Sequence, residues 1–248
     1  MIGRVRLVVG DLEGSVAFYE RAIGLRVLER DGDVVQLGAD APLVELAGDP
    51  DAPPRPPGST GLFHLALLVP SRAELARAVR RVADSGWRFT GASDHFVSES
   101  VYLRDPEGNG IEIYRDRPRE EWEWDGDEIR MGTVALDLDA VMAELPGTGD
   151  PGMADGTAMG HVHLQVAALD AAEPFYTGEL GLDVTVRSYP GALFLSRGGY
   201  HHHVGLNVWA TAGGAAPPTG ARGLAWVELD PGGERLVRDP SGNALLAR

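Results

Sequence analysis

In the stretch GIEIY, Glu112 stands between Ile111 and Ile113, and in LFHLALLV, His64 has equally apolar flanks. Strand side chains alternate between two faces. With Ile111 and Ile113 turned toward helices, Glu112 and Tyr114 face the other way. The same parity sets His64, Ala66 and Leu68 opposite Phe63, Leu65 and Leu67. A carboxylate in a walled hollow is costly, so it must be ionised and paired, bound to a metal, or protonated with a raised pKa. A neighbouring imidazole makes a metal one natural partner, and a guanidinium from Arg4 or Arg6 on the first strand is the competing one. Further on, His161, His163, His201, His202 and His203 make up five of the seven histidines. Alternation puts His161 with His163 on one face and His201 with His203 on one face. These four are an alternative second metal site, or they hydrogen-bond within a core.

Composition narrows the chemistry. The chain has 248 residues, 44% hydrophobic, and a formal net charge of −15. That charge argues against nucleic acid or an anionic membrane as partner, since both would be repelled. With no cysteine, disulfides, zinc-thiolate sites and thiol nucleophiles are excluded. Any metal must be held by His, Asp, Glu or Tyr. The amino terminus runs directly into GRVRLVV, and no apolar run reaches membrane-spanning length, so the expectation is a cytoplasmic protein.

The elements that would position these side chains emerge from an internal repeat. Residues 3–30 align without a gap on residues 160–187, pairing Leu12 with Leu169, Phe18 and Tyr19 with Phe175 and Tyr176, and Gly24 with Gly181. Gly61-Leu62 likewise matches Gly223-Leu224, and DPEGN at Asp105 matches DPSGN at Asp239. Each full unit reads strand, helix, then three strands. The first has a strand over 5–9, a helix over 12–22 stopped at Gly24, and strands over 26–29, 34–37 and 43–46. The unit from Gly61 repeats the order, with a helix over 71–83. The expected fold is therefore α+β, with tandem βαβββ modules paired into two curved-sheet cups and the fourth module truncated. Residues 1–118 would be a first domain of two modules, 119–157 a packed connector containing Trp122, Trp124 and a short helix over 139–145, and 158–248 a second domain. The DPEGN and DPSGN stretches read as β-turns without a catalytic role, and Trp122, Trp124 and Trp209 as packing groups.

IGRVRLVVGDLEGSVAFYERAIGL, GLFHLALLV and VYLRDPEGNGIEIY together resemble the vicinal oxygen chelate superfamily of glyoxalases, bleomycin-resistance proteins and extradiol ring-cleaving dioxygenases. With GGYHHHVGLNVW and the terminal DPSGN, the whole chain is similar to its two-domain bacterial catechol-2,3-dioxygenase-like branch. The resemblance implies a divalent metal, Fe(II) first, with Mn(II) or Zn(II) as alternatives. It places His64 and Glu112 at metal-ligand positions, Glu45 of PLVEL at the position of an additional glutamate ligand, and His95 and Tyr102 at those of an acid/base and hydrogen-bonding pair. Arg4 stands where the first metal histidine belongs, with Arg6 two residues on, whereas the second copy keeps His161 and His163 there. Three readings follow. Glu45, His64 and Glu112 hold the metal; or the cup has lost it and Arg4 and Arg6 bind an anionic substrate; or the working site has moved to the second pair of units. In that second pair Trp226 replaces His64 and Leu246 replaces Glu112. The leading expectation is an extradiol-type dioxygenase for a small catecholic aromatic, as a monomer or homodimer. The alternatives are a glyoxalase-like isomerase or lyase that needs Glu45, and a non-catalytic small-molecule binder.

Overall fold

The computed structural model describes residues 2–147, 152–230 and 232–247. The first unit comprises β1 (Val5–Val9), α1 (Leu12–Phe18, continued by a π turn over Tyr19–Ile23), β2 (Arg26–Asp31), β3 (Val34–Gly38) and β4 (Pro42–Gly48). The second comprises β5 (Gly61–Leu68), α2 (Arg72–Asp84), β6 (Phe89–Asp94), β7 (Ser98–Arg104) and β8 (Gly110–Asp116). After them come a two-stranded ribbon, β9 (Trp124–Asp125) and β10 (Glu128–Ile129), then β11 (Val134–Ala135) and α3 (Leu138–Met142). The third unit holds β12 (Ala158–Gln165), α4 (Leu169–Pro174, continued over Phe175–Glu179), β13 (Asp183–Val186), β14 (Ala192–Ser196) and β15 (Val204–Asn207). The fourth is reduced to β16 (Gly223–Glu228), β17 (Arg235–Arg238) and β18 (Ala244–Ala247), in line with the expected truncation.

Local chemistry accounts for the helices. Ser71 caps α2 by accepting from Glu74 N at 3.2 Å, an S-x-x-E start of the kind that stabilises a helix by about 1 kcal/mol. One face of α2, carrying Leu75, Ala76, Val79 and Val82, is buried. Asp11 caps α1 through Gly14 N, and Gly24 ends the following π turn at φ 85°, the left-handed geometry that glycine adopts without strain. No helix among the described residues is long and apolar enough to cross a membrane.

Two mixed sheets form, as expected, but from a different pairing of units. One sheet has the order β17-β18-β16-β1-β4-β3-β2, joining the first unit to the fourth. The other, β11-β6-β7-β8-β5-β12-β15-β14-β13, joins the second to the third. The expectation that consecutive units share a cup is corrected by the antiparallel pairing of β5 with β12 and of β1 with β16. Consecutive units meet through their turns instead. Buried Asp105 of DPEGN accepts from Tyr19 Oη at 3.2 Å, and Asp239 of DPSGN accepts from Tyr176 Oη at 2.9 Å. Each turn closes on itself as well, through bonds from Asn109 and Asn243 to the same aspartates. These motifs are structural, as read from sequence.

The connector packs. Trp122, Ile129 and Val97 share a small apolar cluster with Val186 and Phe194, while Trp124 stays exposed.

Candidate metal centre

Three adjacent strands build the site. On β5, Ala66 is registered with Glu112 of β8 on one side and His161 of β12 on the other, and His64 lies two residues from Ala66 on the same face. Strands lie about 4.8 Å apart, so the Glu112 and His161 backbones stand roughly 10 Å apart across Ala66. The alanine methyl leaves the space over which their side chains meet. His161 Nε2 is 3.2 Å from Glu112 Oε2, and His64 Nε2 is 3.0 Å from the same oxygen. The other carboxylate oxygen, Oε1, accepts from Ser100 Oγ at 2.6 Å. All three residues are buried, and their donor atoms lie within 4.8 Å of one another. Among the described residues they are the one such group of three or more His, Asp or Glu side chains.

Whether the group suits a metal is decided by donor chemistry and geometry. Despite the short distance, His64 Nε2 makes no hydrogen bond, so a buried nitrogen is left without a partner. Two ligands each ~2.1 Å from one ion and at right angles to each other are about 3 Å apart, which matches both imidazole–carboxylate separations. Burial raises the Glu112 carboxyl, but His161 and His64 beside it outweigh burial and hold it well below the usual carboxylate range. Burial pulls the His161 imidazole down to about 4, against the opposing pull of Glu112. Neutral imidazoles and an ionised carboxylate are the protonation states that ligation requires. Two histidines and one carboxylate are also the donor set that leaves positions free on a non-haem iron. The residues therefore fit a divalent ion.

The group opens on a cavity of about 290 Å³. Tyr102, registered with Glu112 across β7 and β8, lines it together with His95. His95 Nδ1 is 2.7 Å from the Gly132 carbonyl, so it carries the proton, and Nε2 accepts from Tyr102 Oη at 2.5 Å. Burial, reinforced by the Glu112 charge, raises the Tyr102 phenol well above its ordinary value and keeps it protonated. Phe63, Tyr189, Phe194 and Trp209 supply an aromatic wall. Phe63 faces this cavity and not the helices, because the β5–β12 register shifts between His163 and Leu164 and breaks the simple alternation. His163 also lines the cavity, with Nε2 buried and unpartnered. Its ring fits against Gly205, where a Cβ would come within 2.7 Å of His163 Cδ2.

The other sequence candidates lie elsewhere. Glu45, on β4 of the seven-stranded sheet, is not part of the group. Its Oε1 accepts from Arg6 Nη1 at 2.8 Å, and its Oε2 from Arg4 Nη1 at 3.1 Å and Gln36 Nε2 at 3.2 Å. Arg4 is further tied to Glu228. Where the nine-stranded sheet carries imidazoles, this sheet has an ion-pair cluster: Arg6 faces Trp226 across β1 and β16, as His163 faces His64 across β12 and β5. His161, His163, His201 and His203 do not form a site of their own. His161 joins His64 and Glu112, His201 turns to Asp116, and His203 Nδ1 accepts from Arg197 N. Sequence reasoning missed that His161 completes the first ligand set, and that His202 and Trp209 line the cavity. The signal for His161 was present, since it aligned with the family's missing first histidine.

The chain is similar to known proteins along most of its length. The Glyoxalase/Bleomycin resistance protein/Dioxygenase superfamily matches residues 1–113. A protein of Bacillus subtilis (strain 168) named Catechol-2,3-dioxygenase is 43% identical over 229 residues, covering 90% of this chain and 80% of that protein. Biphenyl-2,3-diol 1,2-dioxygenase 3 of Rhodococcus globerulus is 28% identical over 136 residues, covering 52% of this chain and 72% of its own. Among solved structures, glyoxalase I from Zea mays superposes with a TM-score of 0.60 at 17% identity, covering 99% of this chain and 91% of that one. That likeness concerns the fold alone.

Proposed function

Because this chain belongs to the glyoxalase/bleomycin resistance protein/dioxygenase superfamily, we propose that it is a metal-dependent, extradiol-type dioxygenase that cleaves a small catecholic ring. The observation that carries the reading is the convergence of His64, Glu112 and His161 at one end of a cavity that also holds the Tyr102–His95 pair. The name of the 43% identical Bacillus relative supports it. Fe(II) is the metal that best suits two imidazoles and a carboxylate in an oxygenase, with Mn(II) and Zn(II) as the alternatives. When bound, it would supply open positions for both catechol oxygens and for dioxygen. The chain's own residues do the rest. Tyr102, held by His95, presents its oxygen to a ligand hydroxyl, and His95 is placed to exchange a proton with it. Phe63, Phe194 and Trp209, which belong to one aromatic wall, give an aromatic ring a surface to pack against and exclude water. All three metal donors come from one chain, so no second subunit is needed to complete the group. The isomerase alternative calls for Glu45 at the metal, and Glu45 is engaged by Arg4 and Arg6.

The test is anaerobic loading with Fe(II), followed by oxygen uptake with catechol. The reading expects about one metal per chain and one dioxygen consumed per catechol lost. Protein that binds no metal, or binds it without oxygen uptake across a panel of alkyl- and aryl-substituted catechols, refutes it. Tyr102→Phe should keep the metal while turnover falls roughly twofold to tenfold, the value of one hydrogen bond between neutral groups.

A further inference from the structure

The turn between β6 and β7 carries the one non-glycine residue with a positive φ among the described residues, Phe96 at 71°. A bulky side chain in that left-handed region is strained, and hairpin turns that need such a φ normally place glycine or asparagine there. Strained backbone persists only where its surroundings over-determine it. The residue before Phe96 is His95, whose imidazole meets Tyr102 in the cavity.

Two sets of contacts hold Phe96 in this conformation. Its backbone N–H donates to Asp94 Oδ1 at 2.9 Å, and Asp94 Oδ2 accepts from Arg117 Nη2 at 2.5 Å. The His95 N–H donates to Ser98 O at 2.9 Å and closes the turn. The second set comes from the connector. The Phe96 ring lies against Gly132, where a Cβ would come within 2.5 Å of Phe96 Cε2, and the Arg130 guanidinium sits over the ring, 5.2 Å from its centre. Arg130 is itself paired with Glu123. Gly132 does not have a positive φ, so its missing side chain answers to the phenyl ring and not to its own backbone. The same glycine is joined to His95 twice. Its carbonyl is 2.7 Å from His95 Nδ1, and its N–H donates to His95 O at 3.4 Å. Phenyl ring and imidazole, from adjacent residues, are thus fastened to one residue of the connector.

We propose that Phe96 is a positioning residue: its left-handed backbone and the seat of its ring on Gly132 fix the place of the His95 imidazole beside Tyr102. Phe96 does not line the cavity, nor do Arg130 and Gly132, so all three act through His95 and not on a ligand. With the Phe96 N–H held by Asp94 and its ring held by the connector, the peptide that joins it to His95 has little freedom left. Glycine at this position would meet the turn without strain, but it visits both signs of φ and leaves Gly132 uncovered, so His95 would lose its fixed place. The contribution of His95 to turnover rests on the dioxygenase reading. Its placement by Phe96 does not.

Melting of the full-length protein reads the strain. Phe96→Gly and Phe96→Ala lose the same ring, and at an ordinary φ the alanine variant is the more stable. Here Phe96→Gly should melt higher than Phe96→Ala by roughly 2–4 °C, and the usual order would show that no strain is held at this position. Gly132→Ala should lower Tm in the wild type and leave it unmoved in Phe96→Gly, where the new methyl meets no ring; equal losses in both backgrounds would refute the seat. Placement is read without substrate, by cross-relaxation between the His95 and Tyr102 ring protons, the ring centres being 6.1 Å apart. These signals, assigned by their loss in His95→Gln, should be present in the wild type and lost in Phe96→Gly. Their absence from the wild type, or their persistence in Phe96→Gly, would overturn the proposal. Kinetics add a further arm. With Fe(II)-loaded protein and catechol, Phe96→Gly should lower kcat roughly tenfold at unchanged KM and metal content, and lower it no further in His95→Gln, because Phe96 acts through His95. An unmoved kcat, or the same loss in both backgrounds, would sink the coupling. If no catechol is turned over, the dioxygenase reading fails, while melting and cross-relaxation still decide what Phe96 does.

Discussion

Glu45 and Glu112 are the same residue type, both buried in the middle of a sheet, yet the structure gives them different partners, and removing each should have a different consequence. Glu45→Ala deletes an ion pair to Arg6, a second to Arg4 and a hydrogen bond from Gln36. Arg4 keeps Glu228, whereas Arg6 retains no ion pair among the described residues. Stripping a partner from a fully buried pair costs ~3–5 kcal/mol, and an exposed pair is worth ~0–1 kcal/mol. The Arg4 and Arg6 side chains are 30% and 32% exposed, so water rehydrates them in part. The expected loss lies between those limits, at roughly 2–3 kcal/mol. For a chain of this length that is a fall of roughly 4–12 °C in Tm. Calorimetry and urea unfolding measure the loss, and elemental analysis of the same sample measures the metal. Glu45→Ala should unfold earlier with its metal content intact, and Glu112→Ala should lose the metal. Metal lost from Glu45→Ala, or a Tm left unmoved, would refute this division of labour between the sheets.

Three further outcomes follow. His161→Ala should abolish metal retention as completely as His64→Ala, since the two imidazoles flank one carboxylate oxygen; retention near one equivalent would show that His161 is no ligand. Ala66→Leu puts a branched side chain between Glu112 and His161, so metal affinity should drop by at least an order of magnitude for about 1–3 kcal/mol of overpacking, as read by competition with a chelator. The metal-free protein should lose stability in acid. The His161 imidazole lies at about 4 in the folded chain, below its ordinary value of about 6.5. Between those values the unfolded chain takes up a proton that the folded one refuses. This contribution is complete above pH ~6.5 and is lost as the pH falls to about 4, amounting to roughly 3 kcal/mol at ~1.4 kcal/mol per pKa unit. Urea midpoints measured from pH 7.5 to 4.5 that do not move would contradict it.

Much of the molecule was legible in the chain. The strand and helix order of the units, the truncated fourth unit and the structural DPEGN and DPSGN turns all follow from local signals: alternation, capping residues and the glycines that end helices. Parity alone placed His64 and Glu112 on one face, because a strand's two faces are set by the spacing of its own residues. His95 and Tyr102 were paired by the resemblance of their spacing to the family's, and they meet seven residues apart around one hairpin.

What the chain could not settle was which strand edges meet. Backbone hydrogen bonds are the same for every sequence, so β5 could pair with an edge of the first unit or of the third with equal local satisfaction. The choice is made by how the helices and side chains of all four units pack together, a sum over contacts far apart along the chain. That choice carries His161 to Glu112 and leaves Arg4 and Arg6 with Glu45. Residue types and their faces are thus a property of the sequence, whereas membership of one site belongs to the tertiary structure, because three donors converge on a point only after distant strands have been laid side by side.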